Sequence, residues 1–206
     1  PLWCPSHRLP DAWPPPRTAL QIARDVHEIK KDYNLIVRGL SSSMELNSEN
    51  DGMSLDDILT ILKSSLDASL PKGKRLFFNI QLEENLYTQN HYLLLSIFRN
   101  LFNNAIEAAD GNPVELSVRQ SSTDSSYVIE VEDHGPGIDP EDMEQIFEPG
   151  FSTKINYETG EVNRGLGLSL VKDFIELRLG GTIRVTSVPG KTVFTLTIPK
   201  EKWSGL

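Results

Sequence analysis

Cysteine is nearly absent from this chain: Cys4 is the only one among 206 residues. A single thiol excludes a disulfide framework within the chain, and such usage fits a reducing compartment. Long apolar runs are missing as well. No stretch approaches the roughly 18 residues of a membrane-spanning helix, and no secretory leader is visible. Runs rich in Lys and Arg are also lacking, and the formal charge is −9. Proteins that grip a nucleic-acid backbone usually show a basic face, so no nucleic-acid partner is expected. The acidic balance is read as solubility. The first residue is Pro1 rather than Met, so the chain is expected to be a fragment. What is present is ordinary: 38% hydrophobic and 24% charged residues, enough for a core without staples. The length allows one large domain or two small ones.

Residues 1–16 hold six prolines and read as a linker, because proline removes amide donors and fixes φ. From Arg17 the pattern changes. Ile22, Val26, Ile29, Tyr33, Ile36 and Leu40 follow the alternating four-and-three spacing of a heptad seam. A polar stretch with the turn signal Asp51-Gly52 follows. Ser54 is a candidate N-cap with Asp57 as a capping-box variant. Leu55, Leu59, Leu62, Leu66 and Leu70 then give a second seam that Pro71 closes. Two amphipathic helices joined by a turn bury their seams poorly alone. A homodimer through residues 17–70, forming a four-helix bundle, is therefore expected.

After Pro71-Lys72-Gly73 the character becomes α+β, so the expected domains are 1–16, 17–70 and 71–206. Residues 75–82, 114–119, 127–133, 182–187 and 192–198 read as strands from their β-branched and aromatic content. Residues 90–109 and 164–179 read as helices.

Three motifs carry chemistry. Asn100 and Asn104 stand four apart on one face of the long helix, and amide oxygens suit a hard cation. Asp133-His-Gly-Pro-Gly137 directly follows a strand. A carboxylate at a strand end can accept from an exocyclic amine, and Gly135 and Gly137 permit close approach of a flat ligand. Arg164-Gly-Leu-Gly167-Leu-Ser opens a helix, where exposed amides and the dipole favour phosphate oxygens. Each motif alone is weak. Their order and spacing, with Phe147-Glu-Pro-Gly-Phe-Ser-Thr-Lys154 between the second and third, make the set specific.

The set, over roughly residues 75–200, resembles the ATP-binding domain of histidine kinases. That fold is shared with type II topoisomerases, mismatch-repair ATPases and a heat-shock chaperone. The resemblance implies an α/β sandwich with a mixed sheet packed on helices, binding ATP with Mg²⁺. By it, Asn104 ligates the metal and Asn100 assists at the phosphates. Asp133 holds adenine, with Gly135, Gly137 and Ile138 around it. Gly165, Leu166, Gly167 and Leu168 meet the phosphates. Residues 148–164 would be a lid, with Lys154 and Arg164 as cationic contacts. Hydrolysing relatives carry a glutamate four residues before the metal asparagine, to activate water. Here that position is Asn100, so transfer to another acceptor is expected. Glu107 departs from the basic residue many histidine kinases carry, and resembles the variant of nitrogen-regulatory and citrate-type sensors.

His27 lies mid-helix beside Val26 of the first seam, and His27-Glu-Ile-Lys-Lys-Asp-Tyr resembles the phospho-acceptor box of that family. The resemblance makes His27 the acceptor. Glu28 would hold the other ring N–H and offset developing positive charge. Asp32 replaces the common proline, and Lys31 stands where phosphatase-competent members carry Thr or Asn. His7 is in the proline-rich arm, His91 opens the long helix, and His134 sits inside the second motif. The expected partner is a response regulator whose aspartate receives the phosphoryl group. Location is expected to be cytoplasmic, with any membrane segment upstream. The alternatives are a phosphotransferase or scaffold of the same fold with little autokinase activity, an ATP-hydrolysing machine, and a serine-directed kinase.

Overall fold

The computed structural model describes residues 52–70, 73–109, 113–152 and 165–204. The proline-rich arm, the first helix of the expected hairpin with His27 and Glu28, and Lys154 and Arg164 lie outside the described residues. The described residues belong to the compact unit Asn47–Leu206.

The unit opens with strand β1 (Met53–Ser54), which runs straight into helix α1 (Leu55–Ser69). The expected capping box forms. Ser54 Oγ accepts from the Asp57 amide at 3.1 Å, and its hydroxyl donates to Asp57 Oδ2 at 2.6 Å. Asp56 and Asp57 lie in the first turn, where negative charge suits the helix dipole. Leu55, Leu59, Leu62 and Leu66 of the seam are buried, joined by Ile58 and Ile61.

Sequence reading places this helix as the second arm of the dimerising hairpin, inside a domain ending at residue 70. The structure packs it on α2 (His91–Ala108) instead. β1 pairs antiparallel with β3 (Tyr87–Thr88), and Leu55 N donates to Leu86 O at 2.8 Å, fixing the entry to α1. The seam is buried within one chain because a helix neighbour from the α+β region supplies the apolar surface that a second copy was expected to supply.

Among the described residues five strands form one mixed sheet in the order β2 (Leu76–Leu82), β4 (Val114–Ser122), β5 (Ser126–Asp133), β7 (Lys191–Pro199), β6 (Thr182–Val188). Only β2 and β4 run parallel, which their connection through β3 and α2 allows. Period-two patterning turns Val114, Leu116, Val118, Ile129, Val131, Phe194, Leu196 and Ile198 into the core. The opposite face carries Glu115, Arg119 and Glu130. α2 is the spine of the helical layer. Its Leu94, Ile97, Phe98, Leu101, Phe102 and Ala105 are buried. Phe102 meets Phe78 of β2 edge-on at 5.1 Å and stacks on Phe98 at 5.9 Å. Phe98 and Phe102, both fully buried, each contribute roughly 1.5–3 kcal/mol by burial.

The helix expected over 164–179 begins at Gly167 as α3 (Gly167–Asp173) and continues as a π-helical turn, Phe174–Arg178. Leu179 N bonds Phe174 O at 3.1 Å, the wider five-residue closure. Val171, Ile175 and Leu179, all buried, repeat every four residues, a spacing that drifts on an α-helix and that the wider turn holds on one face. Three short elements had no sequence signal. The two-residue β1–β3 ladder and the short helix α4 (Lys200–Trp203) are shorter than any readable period. Trp203 is nonetheless core, against Tyr127 at 5.4 Å, and its carbonyl accepts from Thr88 Oγ1 at 2.5 Å.

Because Ser54 secures both α1 and the β1 junction, Ser54→Ala should lower unfolding free energy by about 1 kcal/mol, while Ser54→Asp largely restores it. Urea denaturation reads this as a shift in midpoint. Equal midpoints for Ala and wild type would show that the cap does not carry the junction.

Candidate functional site

The three motifs lie far apart in sequence and are brought together at one end of the sheet. Asp133 is the last residue of β5, paired with Leu116 of β4 on one side and Thr192 of β7 on the other. Its strand parity aims it to the helical side with Val131 and Ile129. Gly135 N donates to Asp133 Oδ1 at 2.9 Å, turning the chain sharply after the strand. Burial pushes the Asp133 carboxyl above its ordinary range, opposed by the Gly135 amide and by nearby His134. A cavity of about 220 Å³ opens here, lined by Ala105 of α2 and Ala109 just past its end, by Pro113, Val114 and Glu115, and by Asp133, His134 and Gly135. The small residues of α2 form one wall and the carboxylate the other. A side chain at Gly135 would close the gap, since a Cβ there lies 2.9 Å from Asp133 Oδ1 and 3.9 Å from Ala108 Cβ.

One helical turn before this wall, Asn100 and Asn104 face the start of α3. A Cβ on Gly167 would sit 3.1 Å from Asn100 Oδ1 and 4.0 Å from Asn104 Nδ2. The first and third motifs are therefore in contact distance, and glycine is what allows it. Asn100 Nδ2 donates back to Ser96 O at 2.8 Å, which turns its oxygen toward Gly167. An asparagine amide supplies the kind of oxygen donor that a hard divalent cation takes, so both Asn104 and Asn100 fit such a site, with phosphate oxygens as further ligands. Leu166 is the N-cap of α3 and offers no side-chain cap; its carbonyl accepts from Leu170 N and Ser169 Oγ, both at 3.0 Å. Leu168 follows in the first turn. Gly165 has φ +57°, and a Cβ there would collide with the Phe151 carbonyl. Gly150 N bonds Gly165 O at 3.0 Å, so the two ends of the segment expected to form a lid are tied together.

Gly137 and Ile138 serve a neighbouring purpose. Gly137 has φ +90°, and a Cβ would lie 2.7 Å from Val188 O. Its backbone is seated on the β6–β7 turn, and Gly135, not Gly137, lines the cavity. Ile138 N donates to Ser187 Oγ at 2.8 Å, and Ser187 Oγ meets Thr192 Oγ1 at 2.9 Å. Thr192 is 4% exposed and stands directly opposite Asp133. Neither Ser187 nor Thr192 was anticipated. The signal was faint, a threonine opening a strand after Gly190, and it becomes meaningful only once β5 and β7 are known to pair.

A mixed sheet under a helical layer, with paired amides facing a glycine helix start and a buried carboxylate at a strand end, defines a class of nucleotide-binding domain. Residues 90–202 match the family of histidine kinase-, DNA gyrase B- and HSP90-like ATPases, and the chain belongs to it. Within the family it is the ATP-binding core of a sensor histidine kinase. It is 33% identical over 182 residues to sensor histidine kinase GlnK of Bacillus subtilis (strain 168), covering 87% of this chain and 44% of that protein. It is 35% identical over 151 residues to sensor histidine kinase DcuS of Escherichia coli (strain K12), covering 72% and 26%. The chain thus spans less than half the length of these relatives. The catalytic domain of histidine kinase ThkA superposes with a TM-score of 0.61 at 24% identity, covering 72% of this chain and 96% of that one, which establishes the fold. Among the described residues no helix is long and apolar enough to cross a membrane.

The raised carboxyl of Asp133 has a stability consequence. Folding disfavours its ionised form, so its unfavourable contribution is absent in acid and complete once pH exceeds the raised value. Asp133→Asn, which keeps an acceptor for the Gly135 amide, should therefore melt above wild type at neutral pH. The gap should narrow as pH falls through the carboxylate range. A variant that melts lower at neutral pH would contradict the burial argument.

Proposed function

We propose that this chain autophosphorylates on His27 with ATP and passes the phosphoryl group to an aspartate of a response regulator. The observation that carries the reading is the meeting of Asn100 and Asn104 with Gly167, next to the cavity beside Asp133. Adenine would take the cavity, donating its amine to Asp133 while Ala105 and Ala109 cover its face. The triphosphate would run toward Gly165, Leu166, Gly167 and Leu168, where first-turn amides point outward. Asn104 would hold Mg²⁺ with Asn100 beside it, and the metal supplies charge neutralisation at the phosphates. Lys154 and Arg164 are the proposed cationic contacts.

Transfer forms a bond between an imidazole nitrogen of His27 and the γ-phosphorus as the bond to the ADP oxygen breaks. Glu28 would orient the ring and balance the charge it gains. An asparagine at position 100 leaves no carboxylate there to activate water, which favours transfer over hydrolysis. The chain would dimerise through the seam of residues 22–40, the part of the expected 17–70 interface that α1 does not use internally. As a fragment of a longer sensor it would work on the cytoplasmic side, any membrane segment lying upstream.

Incubation with γ-labelled ATP should place acid-labile, alkali-stable label on His27. His27→Gln should lose the label and keep nucleotide binding. Asn104→Asp should slow labelling by about tenfold or more, the scale of a disturbed metal-ligand set. Label persisting on His27→Gln would refute the acceptor assignment. Tight nucleotide binding with no label on any residue would favour the scaffold alternative.

A further inference from the structure

His134 lies inside the second motif, yet neither of its ring nitrogens is turned to the helical side. Nδ1 is 3.1 Å from Glu115 Oε2 and Nε2 is 3.0 Å from Glu132 Oε1. Both partners are carboxylates, which accept and do not donate when ionised. A neutral imidazole has one N–H and can satisfy only one of them, leaving its lone pair against the oxygen of the other. Two N–H donors are needed, so the geometry calls for the imidazolium.

The position of this bridge matters. The β4–β5 ladder ends at Leu116 opposite Asp133. Glu115 and His134 are the next residues outward, and both line the cavity. Their side-chain bond takes over where backbone pairing stops. Behind it, Glu132 is nearly buried and also receives Lys191 Nζ at 3.0 Å and Arg119 at 3.5 Å. That leg is anchored by cations from β7 and β4, whereas the Glu115 leg spans the open mouth.

We propose that His134, as an imidazolium, is a positioning residue for the nucleotide, holding the ends of β4 and β5 together so that the cavity beside Asp133 keeps its shape. From the other face of the strand the charge is still near enough to Asp133 to favour its ionised, amine-accepting form. The groups around the imidazole are Glu115 and Arg119 on β4, Glu130, Glu132 and Asp133 on β5, and Lys191 on β7. The hydrogen bond to Glu132 raises the histidine above its ordinary value; desolvation, the next effect in size, opposes it, and the hydrogen bond to Glu115 adds to the rise. The sign follows. A raised histidine adds its stabilisation below the ordinary histidine range and loses it as pH climbs through the raised value.

This inference rests on the nucleotide reading of the cavity, and the test separates the two. ADP affinity is measured by calorimetry from about pH 6 to about pH 9 for wild type, His134→Gln and Glu115→Gln; titration of the nucleotide's own phosphates is common to all and cancels between them. Wild type should lose about fivefold more affinity across that range than His134→Gln, the scale of one partly exposed charge-assisted hydrogen bond. Glu115→Gln should lower the His134 ring titration midpoint, followed by proton NMR, and flatten the affinity profile. Parallel profiles for wild type and His134→Gln would overturn the role of His134 while leaving nucleotide binding intact. An unmoved ring midpoint in Glu115→Gln would overturn it as well. Absence of ADP binding by wild type at every pH would remove the nucleotide reading, and this inference with it.

Discussion

The seating of α2 on the sheet is the constraint on which the rest depends. Phe102, held edge-on by Phe78 and stacked on Phe98, locks one helix against the parallel β2–β4 pair. The register of that helix then decides everything presented at its polar margin. One turn carries Asn100 and Asn104 toward α3, and the next carries Ala105, Ala108 and Ala109 toward Asp133. A rotation that exposed Phe102 would at once withdraw the amides from Gly167 and push larger side chains into the cavity. Core packing and site geometry are here one requirement, enforced by burial of large rings with no room to slip.

Around that helix the site is assembled from chain ends. β5 stops at Asp133, α3 starts at Gly167, and the β6–β7 turn supports Gly137 from below. Such positions leave backbone amides without ladder or helix partners, which suits a site that must meet a polyanion. Close approaches there are set by glycines whose Cβ would strike a neighbour's carbonyl or amide, as Gly165 against Phe151 and Gly167 against Asn100 show. The ion cluster of Glu115, Glu132, His134, Arg119 and Lys191 lies on the opposite face of the same strands, so charge on the solvent side of the sheet acts on the carboxylate that points inward.

Much of this was legible from pattern. β-Branched and aromatic content located all five strands of the large sheet, because such side chains pack well on a pleated, half-buried surface. The long helix was read correctly because its apolar residues repeat over many turns. The three motifs were recognised by order and spacing, which no single one of them would have justified. Reading failed where a correct local pattern left its partner unspecified. The leucine seam of α1 was seen, but a seam says only that apolar surface must be covered, and within this chain α2 covers it. The π-helical turn at Phe174–Arg178 escaped because its hydrophobic repeat differs from that of an α-helix by less than one residue per turn.

By itself the sequence determined the longer elements, the cap at Ser54, and the candidate residue types of the site, since these follow from local sterics and from patterned burial along one segment. Only the tertiary structure decided that Gly167 abuts Asn100, that Thr192 stands opposite Asp133, and that His134 bridges two carboxylates. Those facts depend on which strands become neighbours and in what register, and that is a property of the packed whole: contacts between residues tens of positions apart carry no periodic trace in the chain that makes them.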